Sequence, residues 1–323
     1  MLTRRGFMAA AGATLVASDA LAQDRTVRIV SGYPAGGGID ISARLLIDPM
    51  KDALGLPTIV ETRSGAAGMI AANAVAKATP DGRTMLMATS GEIAIAQHLY
   101  KEKMTYDPLK DLAPVALFGI VPCVVVVAAT TPVHNPKELI DYAKANAGKL
   151  SFSSSGVGNP QQLAGELMNI MAGINVLHVP YRGSAPAVTD VATGAVTMSF
   201  SSLVAAQGLM QAGKIRAVAV TSLDKMPQLP DVEPLQNGAP GLKGYELLNW
   251  FGLFTTAGTP SDMIAKLNDV TNRTLNDPKT AETVSAQGII ARKTTAEQFK
   301  TFVQSESDKF ASVIDKAKIK ADN

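Results

Sequence analysis

The feature that most constrains this chain is a strand that runs into a glycine-rich turn and then a helix, a pattern that occurs twice. Val27-Arg28-Ile29-Val30 reads as a strand. Ser31-Gly32-Tyr33-Pro34-Ala35-Gly36-Gly37-Gly38 reads as a turn, and Ile39–Leu54 as a helix. Three consecutive glycines let backbone N–H groups approach a ligand that a Cβ would hold off. The helix behind them offers unsatisfied N–H groups and the positive end of its dipole, which suits a carboxylate or phosphate. A second loop of this kind, Ser153-Ser154-Ser155-Gly156-Val157-Gly158-Asn159, also lies between a strand and a helix. Two such loops far apart in sequence imply two lobes closing on one small acid.

Apolar strands alternate with amphipathic helices along most of the chain, which predicts an α/β protein with mainly parallel sheets flanked by helices. Two apolar segments are candidates for strands that cross between lobes. Pro122–Ala129 carries the chain into a middle region, and Trp250-Phe251-Gly252-Leu253-Phe254 brings it back. Domain 1 is then discontinuous, comprising 23–124 and 252–323, and domain 2 comprises 125–251. Asn135-Pro136 and Thr259-Pro260 mark helix starts, with a capping residue followed by proline.

Residues 1–22 read as an export signal. Arg4-Arg5 precede the apolar run Phe7–Ala17, and Ala20-Leu21-Ala22 forms a small-residue cleavage site before Gln23. Thr3-Arg4-Arg5-Gly6-Phe7-Met8 resembles a twin-arginine signal, with an ordinary secretory signal as the alternative. No later apolar run approaches the ~18 residues that span a bilayer. Cys123 is the only cysteine, so no internal disulfide forms, and its setting Val121-Pro122-Cys123-Val124-Val125 suits a buried small residue. Lys and Arg number 30 against 28 Asp and Glu. That balance lacks the basic excess of a nucleic-acid binder, and aromatic residues at 5% are too few for base-stacking platforms.

The inventory for catalysis is thin. His98, His134 and His178 are isolated, without the spacing of a metal site, and no Gly-x-Ser-x-Gly elbow occurs. His178, at a strand end, reads as a structural histidine. No cofactor motif is present, because the triple glycine lacks the dinucleotide pattern and the P-loop lysine. The inventory for binding is fuller. Ser155, Asn159, Ser184, Ser201 and Ser202 are small polar residues at strand ends or helix starts, and such neutral donors can hold a carboxylate and still release it. Asp40 sits in the first helical turn with Arg44 four residues on, an arrangement expected to form an ion pair rather than a ligand contact.

Several of these segments resemble one family. Tyr33-Pro34-Ala35-Gly36-Gly37-Gly38-Ile39-Asp40 is similar to a signature of the Bug-type periplasmic solute receptors that serve tripartite tricarboxylate transporters. So are Ala78-Thr79-Pro80-Asp81-Gly82-Arg83-Thr84, Leu163-Ala164-Gly165-Glu166-Leu167, His178-Val179-Pro180-Tyr181-Arg182-Gly183-Ser184-Ala185-Pro186, Gly213-Lys214-Ile215-Arg216-Ala217 and Trp250-Phe251-Gly252. The resemblance implies a two-lobed periplasmic-binding-protein fold with two crossover strands and a small organic acid held between the lobes. It implies that domain 1 contributes Ala35, Gly36, Gly37, Gly38, Ser90 and Gly91 to the ligand. From domain 2 it implies Ser154, Ser155, Gly156, Gly158 and Asn159, then Tyr181, Gly183, Ser184, Ala185, Ser201 and Ser202.

There are departures from that pattern. Ile39 stands where Thr or Ser is usual, Pro160-Gln161-Gln162 where a histidine often stands, Thr197 where an Asp is common, and Ser201-Ser202 where an acid is frequent. These losses remove partners for a ligand ammonium group and favour a mono- or dicarboxylate, aliphatic or aromatic, over an amino acid. The expectation is an exported, monomeric, non-enzymatic receptor without cofactor or metal. It would deliver a carboxylate to the subunits of a tripartite tricarboxylate-type membrane transporter and bind no nucleic acid. Phe251 and Trp250 are expected near the cleft floor. The alternatives are a sensor partner that docks on a signalling receptor, or an exported hydrolase.

Overall fold

The computed structural model describes residues 26–321, so the expected export signal and its cleavage point lie outside the described residues. The chain runs β1 (Val27–Ser31), α1 (Gly38–Arg44), α2 (Ile47–Leu54), β2 (Thr58–Thr62), α3 (Met69–Ala76) and β3 (Thr84–Thr89). A π-helical turn (Gly91–Ile95) then leads through α4 (Ala96–Leu99) to β4 (Leu112–Pro122). There follow β5 (Val124–Ala128), α5 (Pro136–Ala145), β6 (Ser151–Ser154), α6 (Pro160–Ala172), β7 (Leu177–Pro180), α7 (Ser184–Thr193), β8 (Met198–Ser201), α8 (Leu203–Gln211) and β9 (Ile215–Val220). The chain ends with β10 (Leu248–Thr256), α9 (Ser261–Asn276), α10 (Pro278–Ala286), β11 (Ile290–Ala291) and α11 (Ala296–Ala317).

The strands form two sheets, one of six in the order β11-β4-β10-β3-β1-β2 and one of five in the order β7-β6-β8-β5-β9. Each is the floor of one lobe. Both are mixed, where mainly parallel sheets were expected. Strands β1, β2 and β3 are parallel, as are β6, β7 and β8. Strand β10 runs antiparallel to β3 and β4, and β5 runs antiparallel to β8 and β9. The reason is directional. Strands β1, β3, β6 and β8 end facing the other lobe, whereas β5 and β10 carry the chain away from the junction and must run the opposite way.

The junction is narrow. A single residue, Cys123, separates β4 in the first sheet from β5 in the second. The return crossing lies between Thr221 and Leu248, and the two crossings are bonded together. Thr221 N–H donates to the Cys123 carbonyl (3.0 Å), and the Thr221 carbonyl accepts from Leu247 N–H (3.1 Å). Cys123 N–H donates to Thr221 Oγ1 (2.8 Å). Strand membership therefore shifts the expected boundaries slightly, since Val124 already pairs in the second sheet and β10 belongs to the first from Leu248 onward.

Trp250 does not sit on the cleft floor. Alternation along β10 sends neighbouring side chains to opposite faces. Phe251 faces the cleft, and Trp250 is fully buried on the other face against Phe254, Phe299 and Phe302 of helix α11. The Phe299 ring lies over Gly252, where a Cβ would come within 2.2 Å of it. Helix α11 starts with a full capping box, Thr295 with Gln298, and also packs against α6 of the second lobe. In the second sheet Phe152 meets Phe200 edge-on (5.6 Å between centroids) and His178 at 5.0 Å.

The expected helix Ile39–Leu54 is broken into α1 and α2. Pro49 accounts for the break. It has no N–H for the Leu45 carbonyl, and its ring crowds that carbonyl.

The crossing bonds give a first prediction. Thr221→Val keeps the shape of a fully buried side chain and strands the buried Cys123 N–H. It should lower unfolding free energy by about 1–3 kcal/mol, the cost of an unsatisfied buried donor. Urea denaturation of the two proteins checks it, and an unchanged midpoint would contradict it.

Candidate functional site

Four parallel strands end at the gap between the sheets, where α/β proteins place their ligands. Strands β1 and β3 end at Ser31 and Thr89, and β6 and β8 at Ser154 and Ser201. The gap holds a cavity of about 650 Å³ lined from both lobes, a size suited to a small molecule. A similar space of about 710 Å³ lies on the outer side of the first lobe, among Leu109, Leu112, Ile264 and Val303. Its lining comes from the first lobe alone, whereas the cleft is lined from both lobes, so the cleft is the candidate site.

The first wall is the turn after β1. Ala35, Gly37 and Gly38 line the cleft, but Gly36 does not. Gly36 has a φ of +90° and donates its N–H to Asp40 Oδ2 (3.0 Å). The same oxygen accepts from Arg44 Nε (2.8 Å). The Arg44 hydrogen bond holds the Asp40 carboxyl below its ordinary range, so Asp40 is a brace for the turn. A Cβ on Gly38 would sit 3.3 Å from the Phe251 ring, whereas Gly37 has only the Pro34 carbonyl, at 4.0 Å. Gly37 and Gly38 stand at the start of α1, where N–H groups have no intrahelical acceptor.

The end of β3 supplies Thr89 and Gly91 to the lining, while Ser90 is buried behind it. Ser90 Oγ donates to Asn249 Oδ1 (2.8 Å), and Asn249 lines the cleft. Ser90 thus acts on the site through Asn249.

The second wall is the loop from Ser155 to Gln161. Ser155, Gly156, Gly158 and Asn159 line the cleft together with Ser202. Several of this loop's N–H groups are already satisfied. Gln161 Oε1 accepts from Ser155 N (2.8 Å) and Gln162 Oε1 from Gly158 N (2.7 Å). Asn159 and Ser202 cap helices α6 and α8 by accepting from Gln162 N (3.0 Å) and Ala205 N (3.4 Å). Gly158 packs against the first lobe, where its Cβ would lie 2.7 Å from Leu99 Cδ1. Gln228 Nε2 also bridges the lobes, donating to the Ser285 carbonyl (3.0 Å).

The remaining expected residues stand off the lining. Ser154 Oγ is buried and bonded to His178 Nε2 (2.7 Å), which gives that histidine its structural partner. The Tyr181 hydroxyl donates to Asp190 (2.6 Å), and Ser184 Oγ accepts from Gln161 Nε2 (2.9 Å). Gly183, Ala185 and Ser201 also stand outside the cleft wall. Tyr33, Thr89, Tyr100, Gln161 and Asn249 line the cleft and were not anticipated. A polar residue next to a glycine-rich turn is the signal that could have found Tyr33. Asn249 carries no such signal, because its place depends on the register of β10.

Among the described residues, no Asp, Glu, Lys, Arg or His lines the cleft. Cys123 is on the lining, but burial pushes its thiol up to about 12, so it stays a neutral thiol. Among the described residues no cluster of His, Cys, Asp or Glu is placed to hold a metal ion. One acid lies directly behind the lining. Glu92, in the π-helical turn, is fully buried. It accepts from Thr89 N (2.9 Å), Thr89 Oγ1 (2.6 Å) and the Tyr33 hydroxyl (2.9 Å). Burial pushes its carboxyl up to about 7, although these hydrogen bonds oppose the shift. Beside it, Gly65, Ala66, Ala67 and Gly68 all have positive φ, and Ala67, at φ +51°, lines the cleft. Left-handed backbone at non-glycine residues costs about 1–3 kcal/mol each and clusters at functional sites.

Two predictions follow from this geometry. Gly37→Val should leave the melting temperature nearly unchanged, because Gly37 has ordinary φ and open space. It should obstruct the cleft, so that an acid which stabilises the parent protein no longer stabilises the variant. Glu92 makes stability depend on pH. Its folded pKa lies above its unfolded value, so its ionisation destabilises the fold. Stability should fall as pH rises from about 4.5 to about 7, and level off above that. Relative to Glu92→Gln, the parent should lose about 3 kcal/mol over that window, at 1.36 kcal/mol per pKa unit. Denaturant unfolding of both proteins at pH 5 and pH 8 checks the sign.

Sequence and structure comparisons agree on what this fold and cleft belong to. The family model described as "Tripartite tricarboxylate transporter family receptor" matches residues 42–319. The chain is 35% identical over 290 residues to the UPF0065 protein in the tcbD-tcbE intergenic region of Pseudomonas sp. (strain P51). That match covers 90% of this chain and 85% of the relative. The solved structure of R. palustris Rpa4515 with adipate superposes with a TM-score of 0.78 at 31% identity, covering 92% of this chain and 98% of that one. The periplasmic binding protein BugD superposes with a TM-score of 0.73 at 33% identity, with the same coverage. With a match across most of the chain and two lobes enclosing a cleft, this protein belongs to the Bug-type tripartite tricarboxylate transporter receptor family, whose members are solute receptors and not enzymes.

Proposed function

We propose that this chain is an exported receptor that captures a small organic carboxylate in the interlobe cleft and delivers it to a tripartite tricarboxylate-type transporter. The observation that carries this reading is the cleft's chemistry, with hydroxyl, amide and peptide groups from both lobes and no ionised side chain on the lining. Charge-assisted bonds to neutral donors are about twice as strong as neutral ones. They hold a carboxylate without the fixed cation that would slow its release. The adipate-bound R. palustris relative supports the ligand class. The receptor acts as a monomer in the periplasm, after removal of residues 1–22, and its lobes close on the acid about the Cys123 and Thr221 crossings.

The body of the ligand is apolar. Ile39, Val121, Val157 and Phe251 form the non-polar part of the lining. Ile39 occupies the position where the family pattern has a hydroxyl, so hydroxylated acids lose a partner here.

A thermal-shift panel of adipate, hexanoate, benzoate and malate tests the proposal. An acid at 100 times its Kd should add about 2.7 kcal/mol of stability. Benzoate should bind at least about tenfold more tightly than benzamide, because the charge-assisted bonds are lost in the amide. Equal affinity for acid and amide would overturn the carboxylate reading. Ile39→Thr should move the malate-to-adipate preference toward malate by about fivefold, the worth of one ordinary hydrogen bond.

A further inference from the structure

We infer that Glu92 is a positioning residue of the carboxylate site: through Thr89 it decides whether the Tyr33 hydroxyl offers its hydrogen to the cleft, so that carboxylate capture takes up one proton. This rests on the proposed reading of the cleft as a carboxylate site.

The geometry is a closed triangle of oxygens. Glu92 Oε2 lies 2.6 Å from Thr89 Oγ1 and 2.9 Å from the Tyr33 hydroxyl, and those two hydroxyls are 3.0 Å apart. Tyr33, Thr89 and Gly91 line the cleft, and Glu92 does not. Gly91 N–H donates to Thr89 Oγ1 (3.0 Å), and Thr89 N–H to Glu92 Oε1 (2.9 Å).

Each hydroxyl has one hydrogen, and an ionised carboxylate only accepts. With Glu92 ionised, both hydroxyl hydrogens are drawn to Oε2. Thr89 Oγ1 already accepts from Gly91 N–H, so the cleft then meets the Tyr33 lone pairs, and a carboxylate there would face them with a buried negative charge behind. With a proton on Oε2, the direction reverses. The Glu92 O–H donates to Thr89, Thr89 donates to Tyr33, and the Tyr33 O–H, freed from Glu92, is shared between the Ala67 carbonyl (3.3 Å) and the cleft. One proton taken from solvent frees one hydroxyl donor and removes one buried charge.

Among the described residues no charged side chain offsets Glu92. The titratable groups facing it are two tyrosines, Tyr33 and Tyr106, and the Tyr106 hydroxyl donates to the Glu92 carbonyl (2.6 Å). Burial and the nearby Glu92 raise both tyrosines, so both stay neutral. The 65–68 loop brings Gly68 against the carboxyl, and helix α3 carries no titratable residue. Helix α11 reaches this helical segment through Ser307, which bonds to Gln97 and His98. Burial lowers His98, which keeps it neutral. On α11, Glu306 is bonded to Lys309, which also faces Glu246. A carboxyl with no cationic partner is held near neutral pH, where a second negative charge in the cleft tips it to the protonated form.

Isothermal titration with adipate, hexanoate and benzoate at pH 6 and pH 8 tests this, in phosphate and in Tris buffer. The binding-competent fraction falls about tenfold between those pH values for a group titrating near 7, so affinity should fall about tenfold. The buffer comparison at pH 8 should show close to one proton taken up per acid bound. Glu92→Gln supplies a permanent N–H in place of the Oε2 proton. It should bind equally at both pH values, take up no proton, and exceed the parent by about tenfold at pH 8. A parent protein that binds one of these acids with the same affinity at both pH values, and without proton uptake, overturns the role of Glu92 and leaves the carboxylate reading standing. If none of the three acids binds at either pH, the carboxylate reading fails and this inference fails with it.

Discussion

The architecture depends on the bonds between Cys123 and Thr221. Two sheets that share no strand are joined where β4 gives way to β5 and where the chain returns toward β10. The peptide groups of the two crossings satisfy each other there, and Thr221 Oγ1 adds a third bond. Apolar packing continues across this junction, where Trp250, Phe254 and Phe299 share one buried core with Phe152 and Phe200. Each lobe keeps its own aromatic cluster, Trp250 with Phe254 and Phe299 in one and Phe152 with Phe200 in the other. Rotation about the crossings therefore has to be accommodated where α11 packs on α6 across the lobes. Cys123 and Pro122 also line the cleft, so the hinge and the floor of the site are the same residues.

The walls of the cleft do unequal work. In the second lobe Gln161 and Gln162 fill two of the loop's N–H groups, and Asn159 caps its helix. That wall is a rigid, pre-bonded surface. In the first lobe the N–H groups of Gly37 and Gly38 start a short helix, and the hydroxyls of Tyr33 and Thr89 answer to a buried acid. Donor capacity that can change therefore lies in the first lobe, on elements braced by Asp40 and by the strained 65–68 loop. The polarity of an uncharged site is then set from behind its lining.

Much of the fold was legible in the sequence, and the failures have physical causes. Strands β1 and β5 and helix α5 fall where periodicity and the Asn135-Pro136 cap put them, whereas α9 follows Thr259-Pro260 without a side-chain cap. Pro49 was overlooked as a breaker, so α1 and α2 were read as one helix. Helix α10 was missed, although Asp277 followed by Pro278 carries the same start signal as Asn135-Pro136, and Asp277 does accept from Thr280 N (2.8 Å). The antiparallel pairing of β5 and β10 could not be read from composition, because strand direction is decided by where the chain crosses.

The glycine-rich loops were the right landmarks, but their residues were harder to sort. Local sequence marks a turn without saying which of its atoms face inward. Gly36 and Gly38 are adjacent but for Gly37, yet one bonds Asp40 and the other backs onto Phe251. Ser154 and Ser201 end strands at the cleft, where pleating turns their side chains into the sheet layer, and Ser90, just past the end of β3, is buried as well. The residues that were missed, Asn249 and Thr89 above all, are placed by pairing between strands distant in sequence. Glu92 is the extreme case. In sequence it is one acid among 28, and its meaning comes from three hydrogen bonds and the absence of a cation among its neighbours. A residue of this kind is visible only once the fold has taken it out of water, because burial is what gives its single proton leverage over the donors in front of it.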